Sequence, residues 1–222
     1  MTDKTVLITG ANGGLGNTVS RAFLDAGARV FGVSRSIRED EFGHQRFTGI
    51  AAELTSAEST AAIVSKAGPV DVVVHLVGGF AGGTAVAETP VETLDKMLQI
   101  NLRTAYLMAQ AVLPGMRERR TGCVLAIGSR AASQPVATLT AYAASKAALS
   151  ALIRGIAVEN RAAGITANLV TPGTIDTPAN RAAMPDADPS RWVKPEQIAA
   201  LLLHLASPLG SQISGVEIPI GD

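Results

Sequence analysis

The sequence predicts one α/β domain, a doubly wound parallel sheet with helices on both faces. Three observations predict it. Strand-like and helix-like segments alternate almost throughout the chain. Its best-defined strand segment, residues 71–77, is a continuous apolar run rather than an alternating one, as in a sheet covered on both faces. A glycine-rich turn separates the first strand from the first helix.

Each element follows from a local signal. Val6, Leu7 and Ile8 form a short apolar strand that stops at Thr9-Gly10. Leu15, Val19, Ala22 and Phe23 then recur on one helical face, and Gly27 ends that helix. Residues 29–33 and 47–51 read as strands, and 55–67 as a helix with Thr55 as its cap. The strand over 71–77 is followed by a long helix over 90–119 and a strand over 124–127. An alanine-rich helix over 139–163 is closed by Gly164. The strand 165–170 stops at Pro172-Gly173, and a helix over 195–206 and a strand over 216–220 complete the pattern. Only 174–194, with Pro178, Pro185 and Pro189, is irregular at length. It leaves a late strand where such sheets bind ligands, so it reads as a substrate lid. The 222 residues suit one domain, 1–222, rather than two.

Composition narrows the function. Lys+Arg and Asp+Glu are both 19, so no basic excess draws the chain to nucleic acid or an anionic membrane. Aromatic residues are 4%, too few for base-stacking platforms. The single cysteine, Cys123, rules out an internal disulfide and suits a reducing compartment. The start lacks a signal-peptide layout, and no uninterrupted apolar run is long enough to cross a bilayer. A cytoplasmic protein is expected, with no nucleic-acid or membrane partner.

Two constellations carry chemistry. The first is Thr9-Gly10-Ala11-Asn12-Gly13-Gly14-Leu15-Gly16. Gly10 can make the tight turn, Gly14 can let backbone approach a pyrophosphate, and Gly16 can let helix pack on strand. The helix N-terminus then offers free N–H groups and a positive dipole end. By itself the run is also what a flexible turn needs; its place between strand and helix favours dinucleotide binding. The second constellation is Tyr142 and Lys146, four residues apart on one helical face. A phenol beside an ammonium is a better acid or base at neutral pH than a free one. Ser129, at a strand end, can hold the same substrate oxygen. A Tyr–Lys pair alone would suit a solvated helix face; in company with the loop and Ser129 it reads as a reacting site.

These residues resemble the short-chain dehydrogenase/reductase family, in its order and over nearly the whole chain. The resemblance implies a Rossmann-like fold that binds a nicotinamide dinucleotide. It implies Tyr142 as general acid or base, Lys146 lowering the phenol pKa and bonding the nicotinamide ribose, and Ser129 orienting the substrate. Asn101, in Gln99-Ile100-Asn101-Leu102, would hold a water in a proton relay. In Pro172-Gly173-Thr174-Ile175-Asp176-Thr177, Ile175 and Thr177 would meet the nicotinamide carboxamide. Glu53-Leu54 would hold the adenine, with Glu53 alternatively capping the next helix. The family's Asn-Asn-Ala-Gly segment is replaced here by His75-Leu76-Val77-Gly78, so His75 is expected to replace a structural hydrogen bond rather than bind a metal, for which no ligand cluster exists. Residues 78–83, Gly-Gly-Phe-Ala-Gly-Gly, and 176–188 also resemble dihydropteridine reductases, which act on a quinonoid pterin and lack the serine.

The second strand ends Val33-Ser34-Arg35, with Ser34 where an acid would bind the ribose of NAD. Arg35 can pair with a 2′-phosphate, so NADPH is favoured and NADH possible. The expected activity is hydride transfer between this cofactor and a small carbonyl compound. Reduction of a quinonoid pterin, and a non-catalytic cofactor-binding sensor, are the alternatives. Ser129, Arg130, Tyr142, Asn180 and Arg181 are the candidate substrate contacts. Cys123 is expected in the core, Trp192 as an anchor of the lid, and Arg117, Arg119 and Arg120 as a solvated helix end. Ala141, Ala144, Ala148 and Ala151 make a small-residue stripe that permits close helix packing, and the resemblance implies a dimer or tetramer.

Overall fold

Parallel strands are covered on both faces, and this chain supplies apolar side chains to both. The computed structural model describes residues 1–134 and 136–221. Its strands are β1 (Thr5–Thr9), β2 (Arg29–Ser34), β3 (Phe47–Ala51), β4 (Val72–His75), β5 (Gly122–Ile127), β6 (Ile165–Pro172) and β7 (Glu217–Ile220). The helices are α1 (Gly14–Asp25), α2 (Ala57–Ala67), α3 (Val91–Leu98), α4 (Thr104–Arg119), α5 (Thr140–Asn160), α6 (Pro178–Ala183) and α7 (Pro195–Ala206). The strands form one seven-stranded sheet in the order β3-β2-β1-β4-β5-β6-β7, with every pairing parallel. Leu7, Val73 and Val124 face a core shared with α2, α4 and α5, while Val6, Ile8, Val72 and Val74 face one shared with α1 and α7. Chain order reverses at β1, between β2 and β4, which opens a crevice beyond the carboxyl ends of these strands.

Several expectations need correction. The cap of α2 is Ser56, whose hydroxyl accepts the Ser59 N–H at 3.1 Å, and not Thr55. Strand β4 ends at His75: the Leu76 N–H is shared between the Thr9 carbonyl and hydroxyl, and the Val77 N–H turns to the hydroxyl. The helix expected over 90–119 is interrupted by a π-turn, Gln99–Arg103, which rotates Asn101 into the interior. Arg117, Arg119 and Arg120 are exposed yet tethered, to Asn160 and to the carbonyls of Val70 and Ala162. Val193 rather than Trp192 fastens the lid: it is buried, pairs with Ile175, and exchanges backbone bonds with Thr174 and Asp176, whereas Trp192 is half-buried. Cys123 lies in the core as expected, and burial pushes its thiol up to about 11. The window of α5 and its trailing turn has a mean hydropathy of 1.2, but the helix carries buried Lys146 and packs on β6.

His75 carries the polar wiring behind the crevice. Its Nδ1 lies 3.0 Å from the Thr9 hydroxyl and its Nε2 lies 3.2 Å from the Thr104 hydroxyl. Thr104 donates its own proton to the Ile100 carbonyl at 2.7 Å, so it accepts from Nε2–H. With its proton on Nε2, the neutral ring accepts at Nδ1 from the Thr9 hydroxyl, whose oxygen accepts the Leu76 N–H. Every proton in this chain of bonds is assigned, and the imidazole is neutral with its proton on Nε2. A second ring proton would face the Thr9 donor. Burial, with the Lys146 charge nearby, holds the His75 pKa down at about 3.

An unfolded chain binds a proton at His75 below pH 6.5 and the folded chain does not until about 3. Stability is therefore fully present above pH 6.5 and is lost as pH falls toward 3, at up to ~1.4 kcal/mol per pH unit. His75→Asn cannot take up that proton, so its urea midpoint should fall less steeply than the wild type's between pH 7 and 5. Parallel midpoints for the two proteins would mean that His75 is not the group responsible.

Candidate active site

The phosphate loop is shaped by two glycines. Gly10 adopts φ +71°, and its carbonyl accepts the Gly13 N–H at 3.0 Å. A Cβ on Gly16 would come within 1.9 Å of the Gly10 carbonyl oxygen, so only glycine lets α1 start this close to β1. The N-terminus of α1 has no side-chain cap, and its first turn holds no acid. Its N–H groups thus remain available to an anion. Gly14 meets the Thr177 side chain instead, and Leu15 is half-buried at the start of the helix.

A cavity of about 460 Å³ opens beside this loop. Gly10, Asn12 and Gly13 form one wall, Ser34 and Arg35 the end of β2, Glu53 and Leu54 the far side, and Val77 and Gly78 the near side. Gly10, Asn12, Gly13, Ser34, Arg35, Glu53 and Leu54 were named from the sequence for the cofactor, whereas Gly14, Leu15, Gly16, Pro172, Gly173, Ile175 and Thr177 are not among the residues that line this cavity. Gln99, Ile100 and Thr104 also line it, and sequence reasoning missed them because the π-turn that presents them leaves no signal in the apolar spacing. Glu53 does not cap α2 through its carboxylate; its main-chain carbonyl accepts the Ser59 hydroxyl. The donor set therefore fits a dinucleotide: uncapped helix N–H groups for a pyrophosphate, with the exposed Arg35 guanidinium on the cavity wall at the end of β2.

Gly78 marks the junction with the reacting end. A Cβ there would lie 2.9 Å from Asn101 Oδ1 and 3.3 Å from Lys146 Nζ. Lys146, on α5, is buried and donates to the Ile127 carbonyl at the end of β5, at 2.9 Å. Burial lowers its ammonium to about 8. Tyr142, one turn earlier, has beside it the Ser129 hydroxyl, whose Oγ accepts the Ala131 N–H at 3.2 Å. Its phenol is pushed up by burial, an effect that the Ser129 hydroxyl opposes. This corrects the expectation that Lys146 depresses it: the ammonium is turned to a carbonyl.

Asn101 also departs from expectation. Its Oδ1 accepts the Gly79 N–H at 2.9 Å, and its Nδ2 donates to the Gly79 carbonyl at 3.0 Å and to Ser145 Oγ at 2.9 Å. Ser145 in turn donates to the Tyr142 carbonyl at 2.7 Å. Both amide protons are spent on protein, so the side chain clamps the site and does not donate to a relay water. Ser145 was not anticipated; nothing in its spacing separates it from other small residues of α5.

The lid is held at its base. Pro172 and Gly173 end β6, where the Gly173 N–H bonds the Ile220 carbonyl at 2.9 Å. Asp176 accepts from Arg181 Nε and from Lys194 Nζ, both at 2.6 Å, which holds its carboxyl far below the usual carboxylate range. Asn180 donates to the Ile175 carbonyl at 2.8 Å, and Thr177 caps α6. Arg181 and Asn180, expected to touch substrate, thus serve the lid's own structure. Arg130 opens the turn after Ser129 and makes no ion pair among the described residues.

Known proteins share this architecture. The chain is 36% identical, over 96% of its length and 94% of the relative's, to the cyclic-di-GMP-binding biofilm dispersal mediator protein of Escherichia coli K12. It is 32% identical to the 7alpha-hydroxysteroid dehydrogenase of the same strain, over 96% of this chain and 90% of that one. The solved structure of ElxO with NADP bound superposes with a TM-score of 0.91 at 24% identity, covering 99% of this chain and 97% of that one, a likeness of fold. The family model described as short chain dehydrogenase matches residues 4–188. On that match the chain belongs to the short-chain dehydrogenase/reductase family of oxidoreductases.

Proposed function

We propose that the protein reduces a small carbonyl compound with NADPH, with Tyr142 as the proton donor. The observation that carries this reading is the grouping of Tyr142, the neighbouring Ser129 hydroxyl and buried Lys146, whose Nζ lies beside Gly78 of the cavity wall. Gly10, Gly13 and the start of α1 would hold the pyrophosphate, Arg35 and Ser34 the 2′-phosphate, and Glu53-Leu54 the adenine. Pro172, Gly173, Ile175 and Thr177 border the nicotinamide end. When bound, the nicotinamide supplies a hydride. As the carbonyl carbon accepts it, the Tyr142 hydroxyl gives its proton to the carbonyl oxygen and an alcohol results. A raised phenol pKa keeps that proton in place at neutral pH. Ser129 orients the substrate oxygen, Lys146, fixed by the Ile127 carbonyl, would bond the nicotinamide ribose, and Asn101 positions the loop at Gly78.

A quinonoid pterin is the second substrate class, supported by the likeness of residues 78–83 and 176–188 to pterin reductases; Ser129 favours the simple carbonyl. A nucleotide-sensing role without chemistry draws support from the cyclic-di-GMP-binding relative. We further place the protein in the cytoplasm as a dimer or tetramer, joined through the groove on α4 and α5 where Tyr106, Leu113 and Leu152 lie.

The reading is tested by NADPH oxidation with ketones, aldehydes and a quinonoid pterin. Tyr142→Phe should lower kcat for the preferred substrate by about 100-fold or more while leaving cofactor binding intact. Tight cofactor binding without turnover of any substrate would favour the sensor. In the pH profile of kcat/KM for reduction, the rate should hold to about 8 and then decline as Lys146 loses its charge. Lys146→Arg should move that decline upward, and an unmoved limb would assign it to another group. Arg35→Ala should weaken NADPH by about 10- to 100-fold and NADH by little. Equal losses in fluorescence titrations would show that Arg35 does not read the phosphate.

A further inference from the structure

Phe80 is 66% exposed, although it sits beside the residue that reacts. Its ring meets the Tyr142 ring edge to face, with centroids 5.1 Å apart and planes at 64°. The exposure does not come from a loose loop. At one end, Gly79 exchanges both backbone bonds with the Asn101 amide. At the other, the Gly83 N–H bonds the Thr138 carbonyl at 3.0 Å, and Gly82 lies so close to Leu139 that a Cβ would come within 2.3 Å of its Cδ2. Both anchors leave the ring standing in water, where it is unfavourable unless something covers it. A macromolecule covering Phe80 would also cover Tyr142 and shut the site. The occupant is therefore a small molecule already seated at Tyr142.

We propose that Phe80 is a specificity-determining residue that selects substrates whose reducible C=O or C=N bond is conjugated to a flat ring. The inference rests on the reading of Tyr142 as proton donor. With the substrate oxygen at Tyr142 and Ser129, a ring attached directly to the reacting carbon falls beside Phe80. Aromatic rings pair at centroid separations of roughly 4.5–7 Å, offset or edge to face, with a preference that a saturated ring of equal size lacks. Val136, 53% exposed on the turn that bonds Leu139, is a further apolar group on the facing loop. The flanking glycines 78, 79, 82 and 83 add no side chain that would obstruct a planar group.

The test uses NADP+-loaded protein, to which a ketone binds without reacting. Dissociation constants are measured by calorimetry for an aryl methyl ketone and its cyclohexyl counterpart. Wild type should prefer the aryl compound by about three- to tenfold. Phe80→Leu, which keeps apolar bulk, should bring the ratio near one without altering cyclohexyl affinity. Tyr142→Phe should retain the preference and lower NADPH-driven turnover by about 100-fold or more. A ratio unchanged in Phe80→Leu, or the absence of a preference in wild type, overturns the role of Phe80. Turnover in Tyr142→Phe within a few-fold of wild type would instead overturn the proton-donor reading, which separates the two failures.

Discussion

The buried amide of Asn101 is the contact on which the site depends. An amide in the interior is costly unless its groups are bonded, and here Oδ1 and both Nδ2 protons have partners. Those partners lie on two separate elements. Gly79 follows β4 and Ser145 lies on α5, so one side chain sets the distance between the loop that bounds the cofactor crevice and the helix that carries Tyr142 and Lys146. The π-turn makes this possible: a regular α-helix through Gln99–Arg103 would rotate Asn101 away from these partners.

The second constraint is the neutral His75. It joins the end of β1 to the start of α4 across β4, through Thr9 and Thr104. The two threonines belong respectively to the segment that enters the phosphate loop and to the wall of the cavity. The same crevice is therefore braced from behind by His75 and from the side by Asn101. Neither residue needs to touch a ligand to decide where one lies. Since His75 and Lys146 are both buried close together, a neutral imidazole also spares the site a second positive charge.

At the other end, the lid is organised by Asp176. One carboxylate gathers Arg181 from the first helical turn of the lid and Lys194 from its exit. Both cations are half-exposed, so these pairs contribute modestly to stability and chiefly fix geometry. What they hold is the backbone of Ile175 and Thr177, and Thr177 packs on Gly14 at the start of α1. The glycine-rich loop and the segment that follows β6 are thus in direct contact. An arginine that looks like a substrate hook in sequence is occupied with this task.

Much of this was legible in the residues themselves. Apolar runs, glycine stops and helical spacing located the strands and most helices to within a few residues, because burial on both sheet faces imposes an unbroken apolar code. Gly10 and Gly16 were readable because a backbone that must turn or approach closely accepts no side chain. Tyr142 and Lys146 were readable because four residues on a helix always share a face. What one-dimensional spacing cannot hold is direction and partnership. That Lys146 turns to the Ile127 carbonyl, that Asn101 spends its amide on Gly79 and Ser145, that Asp176 captures Arg181, and that Phe80 stands uncovered beside Tyr142 all depend on groups far apart in the chain. Those pairings were decided only when packing brought the elements together, since a side chain's charge and bonds answer to its neighbours in space.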